Sequence, residues 1–324
     1  MNSNSILQNV TASCDIRKKS LLQRILKHKL LYLMIFPAFI WVILFRYAPM
    51  FGIYMAFIDY FPDGRPFFES FFTRKFIGLQ WFQMFFQNGD FLNIMRNTLA
   101  TSFISLIVSF PAPILLALII NEAKVVWFRK VVQTVSYLPH FISWVIVANI
   151  FLTLLSAEGT VNQILFSLGL IDDKILFFQE GKYFWWIIAI ANTWKGAGYS
   201  SILYLAAISA IPQEQYESTK VDGASRLQQI YFITLPAMKP TVVVILIFAI
   251  SGILNAGFDQ QMLMMNDMIK EYADVIDTYA YRYGLMNSMF SYASAVGLFK
   301  SVVSFILLMI ANKLSRRLNG QALF

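Results

Sequence analysis

Residues 211–236 read IPQEQYESTKVDGASRLQQIYFITLP, a polar island between two long apolar runs. Pro212 brings no N–H, so it ends one helix and can open the next. A short helix over about 213–220 then stops at Asp222-Gly223, because glycine takes the left-handed turn that closes a helix without steric cost. Ser225, with Gln228 three residues on, forms a capping box that starts a second short helix. Pro236 and Pro240 bracket the start of the next apolar run. The island is therefore helix, glycine turn, helix. It carries charge beside membrane-length apolar segments, which suits a docking element at a membrane surface.

Composition sets the class. The chain of 324 residues is 58% hydrophobic and 14% charged, with a mean hydropathy of +0.59; a soluble globular protein carries about 25% charged residues. This is the composition of a membrane protein. The net charge of +8 does not point to nucleic acid, since the basic residues sit beside apolar runs rather than on one polar face. The single cysteine, Cys14, excludes an intrachain disulfide framework. No apolar segment precedes Cys14 and no small-x-small site follows the first apolar run, so neither a lipidation box nor a cleavable signal is expected.

A bilayer-crossing helix needs about 20 mostly apolar residues. Six segments meet or approach that length: 30–47, 97–121, 131–155, 183–210, 237–258 and 293–312. The expected fold is an all-α membrane protein with six transmembrane helices. Pro37 is expected to kink the first span, and Pro111 and Pro113 to break the helix of the second; Pro139 lies inside the third. The connection 48–96 is dense in aromatics, with Phe67-Phe68, Phe71-Phe72 and Trp81-Phe82; an interfacial layer and a small packed cap both account for it. Basic residues gather on one side of this topology, namely Arg17, Lys18, Lys19, Arg24, Lys27 and Lys29, then Lys124, Arg129 and Lys130, then Lys220, Arg226 and Lys239, then Lys313, Arg316 and Arg317. The longer connections on the other side carry fewer. The positive-inside rule then puts both termini and the polar island in the cytoplasm.

No ATP-hydrolysing chemistry is legible. Gly181-Lys182 is followed by Tyr183, and no phosphate loop occurs elsewhere. His28 and His140 have no partner at metal-ligand spacing, and His140 beside Pro139 reads as a hydrogen-bonded structural group. No catalytic residue, metal or cofactor is expected on this chain.

The spacing Glu217-Ser218-Thr219, three residues, Gly223, nine residues, Ile233-Thr234-Leu235-Pro236 resembles the E-A-A-x3-G-x9-I-x-L-P signature of binding-protein-dependent ABC importer permeases. Ser218 and Thr219 replace the two alanines, small but polar. Segments such as SFPAPILLALIINE (109–122), QTVSYLPHFISWV (133–145) and NTWKGAGYSSILYLAAI (192–208) resemble the branch of that family serving oligosaccharides and polysaccharide fragments, akin to the maltose-type importers. The resemblance implies a type I importer fold with its core in spans two to six, in the bacterial cytoplasmic membrane. It implies a second, similar permease subunit, two ATPase subunits holding ATP and Mg, and an extracytoplasmic solute-binding protein. It also implies that Glu214, Glu217, Ser218, Thr219, Asp222, Gly223, Ile233, Leu235 and Pro236 couple the chain to the ATPase. The organisation is then a basic segment 1–29, a first span and long outer connection 30–96, a permease core 97–312 containing the coupling loop 211–239, and a tail 313–324.

A sugar pathway needs aromatic faces and groups that bond hydroxyls. Within or beside the spans, Trp144, Asn149, Asn192, Trp194, Tyr199, Asn255, Asp259 and Gln260 supply them; interfacial belts and interhelical hydrogen bonds are the structural uses of the same residues. Lys195 and Lys300 lie inside spans four and six. A lysine there faces a cavity or a partner rather than lipid. Asp259 is the expected in-chain partner of Lys300, a second subunit could pair either lysine, and an acidic, uronic-acid-containing oligosaccharide is the functional alternative. An ion-coupled secondary transporter is the competing reading, but no intramembrane carboxylate relay or two-repeat pattern supports it. A membrane-embedded transferase would show clustered Asp, Glu or His, and none is seen.

Overall fold

A computed structural model describes residues 28–319, with side chains through Arg317. Cys14 and the basic cluster over 17–27 lie outside the described residues. Two compact units divide between Tyr54 and Met55. In the first, α1 (Lys29–Val42) runs through Pro37 into a π-turn, Ile43–Tyr47, and no residue of either is buried. A 3-10 segment, Ala48–Phe57, follows.

Among its described residues the second unit has helices joined by loops and one isolated antiparallel bridge, between Ile58 and Phe76. That bridge carries α2 (Phe67–Thr73) and α3 (Gln80–Gln87). Phe85 of α3 is buried with Ile94, Leu254, Tyr279 and Tyr292, so this part of the aromatic connection packs as a cap, while Phe68 and Phe72 of α2 stay exposed. Then come α4 (Phe91–Ser109), α5 (Pro111–Glu122), α6 (Val126–Phe141), α7 (Trp144–Leu154), α8 (Thr160–Ser167) and α9 (Phe184–Ser209). The polar island holds α10 (Gln213–Val221) and α11 (Arg226–Gln229), and a π-turn, Ile230–Thr234, leads into α12 (Leu235–Ser251). Three short helices, α13 (Asp259–Met264), α14 (Lys270–Ala273) and α15 (Ile276–Tyr281), precede α16 (Phe290–Asn319).

Four helical stretches are long and apolar enough to cross a membrane, at Lys29–Phe57, Phe91–Glu122, Arg226–Ser251 and Phe290–Arg317; the bent pair α6 and α7 makes a fifth if counted as one span. Helix α9 is long enough at 26 residues, but Asn192, Thr193, Lys195 and Ser200 dilute its middle. Its surroundings explain that polarity. It packs against α4, α5, α6 and α12 and buries Ala189, Ala191, Gly198, Ser201 and Tyr204, so protein rather than lipid lies along much of its length.

Two expectations about the spans are corrected. The third span is not one helix: it starts at Val126 and turns through 102° between Phe141 and Trp144. Ile142 and Ser143 are extended, and the Ser143 side chain accepts from the Ile146 N–H, so the second helix has its own cap. The prolines of the second span do interrupt its helix, as expected, with α4 ending at Ser109 and Pro111 taking the first position of α5; Phe110 between them keeps helical angles, so the two continue as one membrane-length stretch. The fifth span ends at Ser251, before Phe258, because the chain turns at Gly252. Asn255 and Asp259 therefore stand beyond the helix.

Candidate functional site

In the polar island every local rule of the sequence is met in space. Gly223 has φ +78°, its N–H donates to the Lys220 carbonyl at 3.1 Å, and the Ala224 N–H donates to Thr219 at 2.9 Å. Those two bonds close α10 as a Schellman motif. Ser225 and Gln228 make both bonds of the capping box. The Tyr216 and Thr234 hydroxyls meet at 2.9 Å and tie α10 to the π-turn, while Arg226 pairs with Glu122 of α5 at 3.5 Å. The hydroxyls that replace two alanines bond back into their own helix, Ser218 to Gln215 and Thr219 to Gln215 and Tyr216. Glu214, Glu217, Asp222 and Pro236 are exposed, with Ile233 and Leu235 half-buried. Val221, 88% exposed, and Leu227, 78% exposed, project beside the carboxylates.

Further along the chain's core lies a cavity of about 380 Å³, walled by Ser102, Ser105 and Ser109 of α4, by Asn192, and by Asn255 and Gln260. Gln260 donates to the Asn192 side-chain oxygen at 3.3 Å, and Asn192 donates to Ser105 at 3.5 Å. The Ser109 and Thr193 hydroxyls lie 2.6 Å apart. These hydroxyls and amides can exchange hydrogen bonds with a polyol; they offer no nucleophile with an adjacent base. Of the pathway residues read from the sequence, the structure brings Asn192, Asn255 and Gln260 together. The serines were missed, although 102, 105 and 109 follow the three-four spacing of one helix face.

A second group forms at the bend. The Lys195 ammonium donates to the carbonyls of Pro139 at 3.3 Å, His140 at 2.7 Å and Ile142 at 2.5 Å, and stands 5.6 Å from the Trp144 ring. These are carbonyls at the end of α6, where intrahelical donors run out, although Pro139 also accepts the Ile142 N–H at 3.2 Å. Tyr199 stacks on His140 with ring centroids 3.9 Å apart and planes 5° apart. Trp194 meets Phe151 edge-on, Asn149 bonds only within its own helix, and Asp259 is exposed at the start of α13. Asp259 is not the partner of Lys300, which pairs with Asp277. The reason is the fold of the outer connection. Asn97 donates to the carbonyls of Glu271 and Asp274 and the Thr98 hydroxyl accepts from the Ile276 N–H, which holds α15 against α4 and brings Asp277 to α16.

An all-helical chain with membrane-length apolar helices, a cavity of hydroxyls and amides, and a projecting helix–turn–helix defines a membrane permease. Residues 109–320 match the binding-protein-dependent transport system inner membrane components, and the chain belongs to that family. It is an ABC importer permease subunit, a transport component without catalysis of its own. The polygalacturonan/rhamnogalacturonan transport system permease protein YteP of Bacillus subtilis (strain 168) is 40% identical over 95% of this chain and 94% of its own. Protein LplB of the same organism is 38% identical over 92% of each. A crystal structure of a bacterial ABC transporter involved in the import of the acidic polysaccharide alginate is 43% identical, with a TM-score of 0.81 over 92% of this chain and 99% of that one. A bacterial alginate transporter in complex with an alginate pentasaccharide-bound periplasmic protein gives 42% and 0.82, over 94% and 99%.

Proposed function

We propose that this chain forms half of the membrane pathway of an ATP-driven importer for acidic oligosaccharides, receiving them from an extracytoplasmic binding protein. One observation carries the reading: the likeness at 40–43% identity runs over nearly the whole chain, to permeases named for polygalacturonan/rhamnogalacturonan and for alginate. Uronic acids are the chemistry those polymers share. In this reading six helices cross the cytoplasmic membrane, α9 and the bent α6–α7 pair among them, with both termini inside. A second, similar permease closes the cavity, and two ATPase subunits bind ATP and Mg.

Loop 211–239 docks to an ATPase subunit. Its exposed Glu214, Glu217 and Asp222, with Val221 and Leu227 beside them, support that role. Asn192, Asn255, Gln260 and the three serines meet the solute's hydroxyls, and Trp144, Trp194 and Tyr199 offer ring faces towards the partner permease. Lys195 bonds three carbonyls and Lys300 pairs with Asp277 within the chain, which supports a structural role for each.

The test is uptake into proteoliposomes holding this chain with its partner permease, ATPase pair and binding protein. Oligogalacturonate or alginate fragments should enter only with internal ATP and binding protein, undisturbed by ionophores. Equal entry of neutral maltooligosaccharides would remove acidity from the proposal. Uptake driven by an imposed ion gradient without ATP would replace it with an ion-coupled secondary carrier.

A further inference from the structure

Three contacts of α9 fall on the end of α6 within little more than one helical turn. Lys195 holds three carbonyls of the break, and no carboxylate pairs with it among the described residues. Gly198 lies so close to Ser136 that a methyl group there would stand 1.9 Å from the Ser136 carbonyl oxygen. Tyr199 covers His140. From Lys195 the same helix continues to Ser209, about 21 Å at 1.5 Å per residue, and Pro212 then opens α10. One rigid rod thus joins the docking loop to the bend.

The bend needs such a hold. Ile142 and Ser143 are extended, with ψ of 137° and 152°. The Ile142 N–H bonds back to Pro139 and the Ser143 carbonyl accepts from Val147, each to its own side, so neither backbone bond spans from α6 to α7 across the pair. An ammonium group brings three donors to three acceptors, and its charge complements the negative end of the α6 dipole. We propose that Lys195 is a positioning residue that pins the bent α6–α7 span to α9, so that displacement of α10 reaches the bend as a rigid-body movement instead of being absorbed at Ile142-Ser143. This rests on the reading that α10 receives the ATPase's movement.

The assay uses the full reconstituted complex and measures solute moved per ATP hydrolysed. Lys195→Met should keep solute-stimulated ATP hydrolysis while that ratio falls at least about fivefold, the lower end of coupling between linked sites. Lys195→Arg, which keeps the donors, should restore most of it. A native ratio in Lys195→Met overturns the proposal. A second measurement leaves Lys195 in place: with Cys14→Ser, spin labels at Val135→Cys on α6 and Leu203→Cys on α9, both exposed positions, report the joint directly. Their distance should be the same in the nucleotide-free and vanadate-trapped complexes. A shift between those states overturns the pin even if Lys195→Met fails to assemble. Gly223→Pro separates the two readings, because it should abolish solute-stimulated hydrolysis if the loop couples. Native hydrolysis and transport there would fell the loop reading itself, whereas loss there with a native ratio in Lys195→Met would fell only the pin.

Discussion

Spans two and three both carry proline near their middle, yet span two continues as one membrane-length stretch and span three turns through 102°. In span two, Pro111 sits at the first position of α5, and helix resumes at once after Phe110. In span three, Pro139 lies in the last turn of α6, two extended residues follow, and Ser143 caps a new helix. The proline is common to both. What differs is whether the freed carbonyls find another partner: at the bend Lys195 supplies donors from a helix more than fifty residues away. A proline permits a break, and a distant donor makes the break a fixed angle.

Four substitutions test that contrast. The largest loss is expected from Gly198→Ala, since the added methyl meets backbone rather than a yielding side chain. It should cost about 3 kcal/mol or more, the upper end for overpacking, and show as a lower thermal midpoint of the purified complex. Lys195→Leu follows at about 2–3 kcal/mol, because carbonyls at a helix end lose their donors inside the protein. If it proves neutral by the same assay, the bend holds itself. Ser143→Ala removes only the cap of α7 and should cost about 1 kcal/mol. Pro111→Ala is the smallest, within about 0.5 kcal/mol, because an N–H at the first position of a helix is dispensable and Phe110 before it already has helical angles. A large loss there would mean the two joints are not different in kind.

The docking loop was legible in the sequence because everything that shapes it is local. Gly223 is three residues beyond Lys220, Gln228 three beyond Ser225, and every bond that closes the two turns stays within five residues. The bend was not. Lys195 could be recognised as needing a partner, but its partners are main-chain carbonyls, which leave no trace in residue type. Lys300 was assigned to Asp259 for a similar reason: the pairing with Asp277 depends on Asn97 and Thr98 drawing the outer connection back onto α4. The early end of α12 was hidden by composition, since Ile253 and Leu254 continue the apolar pattern past the turn at Gly252. In the cavity, Asn192 and Gln260 stood out as polar among apolar neighbours. The three serines of α4 did not, because small hydroxyls are common in membrane helices bonded to their own backbone.

The reach of Lys195 also bears on how the chain is made. Its acceptors at Pro139, His140 and Ile142 are synthesised 53–56 residues earlier. At about 5–20 residues per second that interval is roughly 3–10 s, during which the end of α6 has no lysine to receive. Exposed carbonyls are not tolerated in hydrocarbon. The break must therefore wait near water or a translocation machine and settle only when α9 arrives. Ribosome-bound chains ending before Lys195 should leave a cysteine at Ile142 open to a water-soluble thiol reagent, and chains extended past Ser209 should protect it. Protection already present in the shorter chains would mean the broken span finishes on its own.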